Sequence, residues 1–214
     1  MNRTCISRCI CLLCAGLLAL PLAACKTTPP ASPQASGAPT PTPTPLAIPM
    51  ATPVADRPAI RVKAGAAADL KDAKGVVWKA DTGFEGGLTI DRPDLQVTGT
   101  DNPEIYRSEH YSMTSWSAKA PNGKYILKLH FSEDYDGIAD ENGRIFTYAV
   151  KDGDAATGRV VKEVKGFGPW KAAKARLKAY VDLVPIDVTM GQITVVFTPG
   201  VENPQINAIE VVPQ

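Results

Sequence analysis

The chain has 214 residues, is 44% hydrophobic, and carries a formal net charge of +1 at neutral pH. Residues 59–214 hold 19 Lys and Arg against 21 Asp and Glu, a net of −2. That balance argues against nucleic acid as a partner, because such binding rests on excess basic charge. All five cysteines lie at or before Cys25, so disulfide and thiol chemistry are not expected downstream of it.

The chain opens with basic residues at Arg3 and Arg8, followed by the apolar run "CLLCAGLLALPLAA". A positive start, a short apolar middle and small residues before a cut have the layout of a secretory signal. The end of this run, "LAAC" at 22–25, resembles the bacterial lipobox, in which cleavage precedes a cysteine that receives lipid. Ala24 suits the narrow position before the cut, whereas the other candidate, Cys14, follows the bulky Leu13. The resemblance implies a signal peptide over 1–24 and a lipidated Cys25, carrying diacylglycerol and palmitate, that anchors the protein to a membrane. Cys11 and Cys14 form a C-x-x-C only inside the discarded leader. Lys26, rather than aspartate, follows the cysteine, which favours the outer membrane of a two-membrane envelope and an extracytoplasmic location.

Residues 25–58 contain ten of the 19 prolines, mixed with Thr, Ala and Ser. Such a segment buries too little apolar surface to fold and favours extended polyproline II. At about 3.1 Å per residue it would act as a stalk reaching on the order of 100 Å.

Residues 59–214 amount to one domain and alternate with period two. Over 105–111 the odd residues Ile105, Arg107, Glu109 and Tyr111 share one face of a predicted strand, with Arg107 and Glu109 placed to pair. "KYILKLHFSE" puts Tyr125, Leu127, Leu129 and Phe131 on one side and Ile126, Lys128, His130 and Ser132 on the other. "IFTYAVKDG" runs from a strand into a turn. "PWKAAKARLKAYVDLVPIDV" begins with helix formers, but Pro185 and the alternation from Leu177 predict a strand from about Leu177. "QITVVFTPG" and "INAIEVVP" are β-rich runs bounded by Gly and Pro. Many short strands with regular turns predict an all-β fold, an antiparallel β-sandwich of jelly-roll type.

Five stretches carry a more specific likeness: "IRVKAG", "GVVWKADTGFEGG" with Trp78, Asp81, Phe84, Gly86 and Gly87, "EIYRSEHY", "GKYILKLHFSEDY" and "VENPQINAIEVV". In this order they resemble the malectin family of carbohydrate-binding, galactose-binding-domain-like β-sandwiches. The resemblance implies a sugar cleft at one end, lined by aromatic rings from loops with acid and amide side chains beside them. Tyr111 matches the tyrosine closing the Tyr-Arg-x-Glu-x-Tyr strand, and Tyr135 the first aromatic of the loop after the core strand. Asp136 takes the place of that loop's second aromatic. Glu202 stands where some members have aspartate before Asn-Pro, with Asn203 beside it; Asn203 has the alternative of capping the turn. An early-loop tyrosine of glucose-binding members has no counterpart in "GGLTIDRPDLQV". The implied ligand is a glucose-type di- or oligosaccharide, whose C–H face packs on an aromatic ring while its hydroxyl rim is hydrogen-bonded.

Rival chemistries find less support. A glycosidase needs an identifiable acid and nucleophile pair, and the acidic loop "SEDYD" singles out none. There is no G-x-S-x-G, and His110 and His130, the two histidines, are too few for a zinc site. "DYDGIADENG" starts like a calcium loop but fails at Ile138, Ala139 and Ile145. Asp134, Asp136 and Asp140 are read as a solvated hairpin tip, with an irregular oxygen site as the alternative. The expectation is a non-enzymatic lectin-like lipoprotein without cofactor or metal; the alternative is an envelope-anchored domain that docks a protein partner.

Overall fold

The computed structural model describes residues 57–214. The leader, Cys25 and nearly all of the Pro-rich stalk lie outside the described residues. Among the described residues fourteen strands run in chain order. They are β1 (Ile60–Lys63), β2 (Leu70–Lys71), β3 (Val77–Trp78), β4 (Phe84–Glu85), β5 (Leu88–Asp91), β6 (Ser108–Tyr111) and β7 (Ser115–Lys119). The second half holds β8 (Gly123–Phe131), β9 (Ile145–Asp152), β10 (Arg159–Phe167), β11 (Tyr180–Val188), β12 (Gln192–Val201), β13 (Gln205–Ile206) and β14 (Ala208–Pro213).

Two antiparallel sheets form the expected β-sandwich, one ordered β1-β14-β8-β11 and the other β10-β9-β12-β7-β4. Alternation sends Tyr125, Leu127, Leu129 and Phe131 of β8 inward, all buried. They meet Trp116, Tyr148, Val150 and Val195 of the facing sheet in one continuous core. Phe131, Phe146, Tyr148 and Phe167 form an aromatic cluster with tilted and edge-to-face rings 4.7 to 6.2 Å apart, a geometry that adds to plain burial. This core supports the domain without disulfides.

Arg57, placed in the stalk by sequence, is buried. Its guanidinium donates to the Lys124 and Gln214 carbonyls and lies over the Tyr125 ring. The chain therefore joins the sandwich at the Gly123 end of β8.

Two sequence expectations require correction. The segment Pro103–Tyr106 is a 3-10 turn started by Pro103, and β6 begins only at Ser108. Arg107 consequently turns away from Glu109 and donates through Nε to the Leu95 carbonyl. The helix formers after Gly168 make one short helix, Pro169–Ala173, ended by Lys174 in the left-handed region. Leu177 is also left-handed, at φ 51°. Its backbone bonds to Glu133 and Thr98 instead of a strand, so β11 starts at Tyr180. The inward face of β11 is Asp182, Val184, Ile186 and Val188, leaving Val181 and Leu183 toward solvent.

On the outer side of β8, His130 is covered by Trp78 and Tyr106, and Tyr106 Oη lies 2.9 Å from its Nδ1. Burial favours the neutral ring and pushes its pKa down to about 4. The unfolded chain binds this proton near pH 6.5, so it holds more protons below that value and stability falls as pH drops toward about 4. The full loss is about 3 kcal/mol. In His130→Gln, urea unfolding between about pH 4 and 6.5 should lose that part of the slope.

Candidate functional site

A third, small sheet ordered β13-β6-β5 stands at one end of the sandwich. Direct pairing of Leu88 with Tyr111, Ile90 with Glu109, and Gln205 with Tyr111 fixes which side chains share its face. Gly87 makes the approach of β5 feasible: it has φ 86°, and a Cβ there would sit 2.5 Å from the Tyr111 carbonyl oxygen.

The motif residues around β6 are mostly braces. His110 stacks on Phe84 at 4.2 Å; its Nδ1 lies 3.0 Å from Asp81 and its Nε2 2.8 Å from the Gly86 carbonyl. Both partners are acceptors, so only the imidazolium donates to both. Burial works toward the neutral ring, but Asp81 and Gly86 outweigh it and the pKa is raised. The stability this contributes is complete below the ordinary histidine value and is lost as pH rises through the raised one, opposite in sign to His130. Asp81 also accepts from Gly65 N–H at 2.7 Å, and Trp78 Nε1 donates to Asp72 at 3.0 Å. Asn207, fully buried, accepts from Ser132 N–H at 2.7 Å and donates to the Tyr106 and Ser108 carbonyls. It ties β6 to the end of β8 and to the closing strands.

At this end a cleft of about 250 Å³ is lined by Ile90, Arg92, Glu109, Tyr111, Tyr135, Arg144, Glu202 and Asn203. Tyr111, Tyr135, Glu202 and Asn203, singled out in the sequence from three distant segments, are thus brought together. Asp136 is not. Its side chain is fully exposed and pairs with Arg176 at 2.7 Å outside the cleft. The Asn203 carbonyl accepts from Arg144, while its amide group makes no hydrogen bond among the described residues, leaving it open to the cleft.

Tyr135 is 45% exposed, and Gly137 sets its ring: a Cβ at Gly137 would lie 2.5 Å from the ring carbons. Glu202 occupies the left-handed region at φ 58°, a conformation that asparagine or glycine adopts more readily. In urea unfolding, Glu202→Asn should be more stable by about 1 kcal/mol.

Ile90, Arg92, Glu109 and Arg144 belong to the cleft but were not read as site residues. Ile90 and Arg92 come from the very segment that lacks the early-loop tyrosine. Glu109 was recognised as one half of an ion pair, but its partner is Arg92, at 3.2 Å, and not Arg107. Arg92 also reaches Asp134 at 3.3 Å. Asp134 is nonetheless pushed well above the usual carboxylate range, first by burial and then by the adjacent Glu109, which outweigh Arg92. Asp134 therefore retains its proton at neutral pH. This accounts for Glu109 Oε2, a buried oxygen without a conventional donor. Arg144, buried, donates through Nε to Glu133 at 2.8 Å.

The acidic loop does not gather around one point. Asp134 faces Arg92 and Asn207, Asp136 faces Arg176, and Asp140 accepts from Asn142 N–H. Among the described residues no group of three His, Cys, Asp or Glu side chains is placed to hold a metal ion.

The family model for the malectin domain matches residues 59–209. This chain belongs to the malectin family. Over 104 residues this chain is 31% identical to kinesin-like protein KIN-14E of Oryza sativa subsp. japonica, covering 48% of this chain and 10% of that protein. Among solved structures, a Bacteroides uniformis beta-glucuronidase superposes with a TM-score of 0.60 at 16% identity, over 73% of this chain and 18% of that one. The extracellular domain of ANXUR1 from Arabidopsis thaliana gives 0.58 at 16%, over 71% and 47%. The plant receptor-like kinase FER gives 0.58 at 17%, over 73% and 42%. At these identities the structural likeness is one of fold, and this chain spans under half the length of each of these proteins.

Proposed function

We propose that the protein is a non-catalytic, lectin-like lipoprotein that binds a glucose-type di- or oligosaccharide in this cleft. The supporting observation is the convergence of Tyr111, Tyr135, Glu202 and Asn203 on one hollow of about 250 Å³. Two phenol rings offer flat apolar faces, while a carboxylate, an amide and the Arg92 guanidinium offer directional partners to hydroxyls, the combination a pyranose requires. The raised acid, Asp134, is buried beneath the wall and does not line the cleft, so it does not reach a glycosidic oxygen as a proton donor.

Within the domain, the cleft lies far from the point where Arg57 joins the sandwich. The chain enters at the Gly123 end of β8, while Glu133 to Tyr135 follow the opposite end. Nine residues of strand separate the two poles by about 27 Å. The cleft therefore stands at the pole of the domain far from Arg57.

The test is a calorimetric titration of wild type and Tyr111→Ala with glucose-containing disaccharides. Micromolar to millimolar binding that is lost in the variant, with folding intact, supports the reading. No binding to any glycan favours the protein-docking alternative.

A further inference from the structure

The charges lining the cleft are unequally partnered. Arg92 lies 3.2 Å from Glu109, and Arg144 lies 2.8 Å from Glu133 directly behind the wall. The third carboxylate near Arg92, on Asp134, holds a proton. Each guanidinium is therefore matched by one carboxylate. Glu202 is different: among the described residues no cation lies within 4 Å of it and no hydrogen bond reaches its side chain. It lines the same hollow as two tyrosine rings, and ring faces attract cations. Its left-handed backbone is a further sign that this position holds a glutamate for a reason other than stability.

Resting on the sugar-binding reading, we infer that the cleft prefers a gluco-configured sugar carrying a protonated amine, whose ammonium group pairs with Glu202 at the tyrosine-lined rim. A ligand carboxylate would instead meet Glu202 and would have to displace Glu109 or Glu133 from its arginine, so uronic acids are disfavoured. A neutral sugar fits the rings but leaves the rim charge unmatched.

Three β-1,4 disaccharides that differ only at C2 separate these cases: the glucosamine dimer, its N-acetylated counterpart, and cellobiose. They are titrated into the full-length protein at about pH 6, where the amines are largely protonated. The glucosamine dimer should bind about tenfold more tightly than cellobiose at low salt. That advantage should shrink at about 0.5 M salt, where exposed ion pairs are screened, and vanish in Glu202→Gln. Equal or weaker binding of the amine, with cellobiose still bound, overturns the amine preference and leaves the sugar site standing. An amine preference that persists in Glu202→Gln also overturns it. Failure of all three, with a glucose disaccharide of another linkage bound, overturns the amine preference alone; failure of every glucose-containing disaccharide overturns both readings.

Discussion

Arg144→Ala is expected to destabilise the protein by about 3–5 kcal/mol, measured by urea unfolding at neutral pH. Arg144 and Glu133 are both buried, and the guanidinium holds two acceptors at once, the Glu133 carboxylate and the Asn203 carbonyl. Truncation leaves the Glu133 charge buried without a partner, the costly case for an ion pair. It also releases the turn that positions Glu202 and Asn203, so ligand affinity should fall with stability. Arg144→Lys should recover part of the stability, because one ammonium reaches Glu133 but lacks the planar fork needed for both acceptors. An alanine variant as stable as wild type would show that this pair does not hold the cleft together.

Tyr135→Ala should do the reverse, removing binding while leaving unfolding almost unchanged. The ring is nearly half exposed, so little of the core depends on it. Loss of one stacking face is worth about 1.5–3 kcal/mol of binding, or about 10- to 100-fold in affinity. Gly137→Ala offers a finer test, since its methyl group displaces the ring without deleting it. It should weaken binding with no effect on the unfolding midpoint beyond that expected of an exposed loop substitution. A Tyr135→Ala protein that binds as wild type would remove this residue from the site.

Much of the sandwich was legible because period-two alternation is a local signal. Tyr125, Leu127, Leu129 and Phe131 declare one face of β8 without reference to any other segment. β11 was harder, since Val181 and Leu183 are apolar yet face outward, while Asp182 points in and accepts from Tyr148 and Lys162. The inward carboxylate inverts the pattern that alternation depends on. Pro103 misled in a similar way, because it starts a turn in a stretch whose spacing reads as strand.

The cleft shows the same division. Tyr111, Tyr135, Glu202 and Asn203 were reached through family resemblance, and the fold brings them together. Ile90 and Arg92 were not, because nothing local marks them; they join the wall only through the register of β5 against β6. Glu109 was visible as a charged group, but its partner lies 17 residues away across a sheet rather than two along the strand. Asp136 lies outside the hollow, where its exposed carboxylate pairs with Arg176, a partner 40 residues away that nothing local marks. Stacking and charge pairing across segments set these positions, and a single sequence does not display such pairings.

The most direct measurement is an NMR titration with a glucose-type disaccharide, following the ring protons of Tyr111 and Tyr135 and the amides of Ile90, Glu202 and Asn203. Perturbations concentrated on these five residues, saturating together, are the predicted result. Perturbations confined to the outer face around Val181 and Leu183, or no change at saturating sugar, would contradict the assignment of this cleft as the binding site.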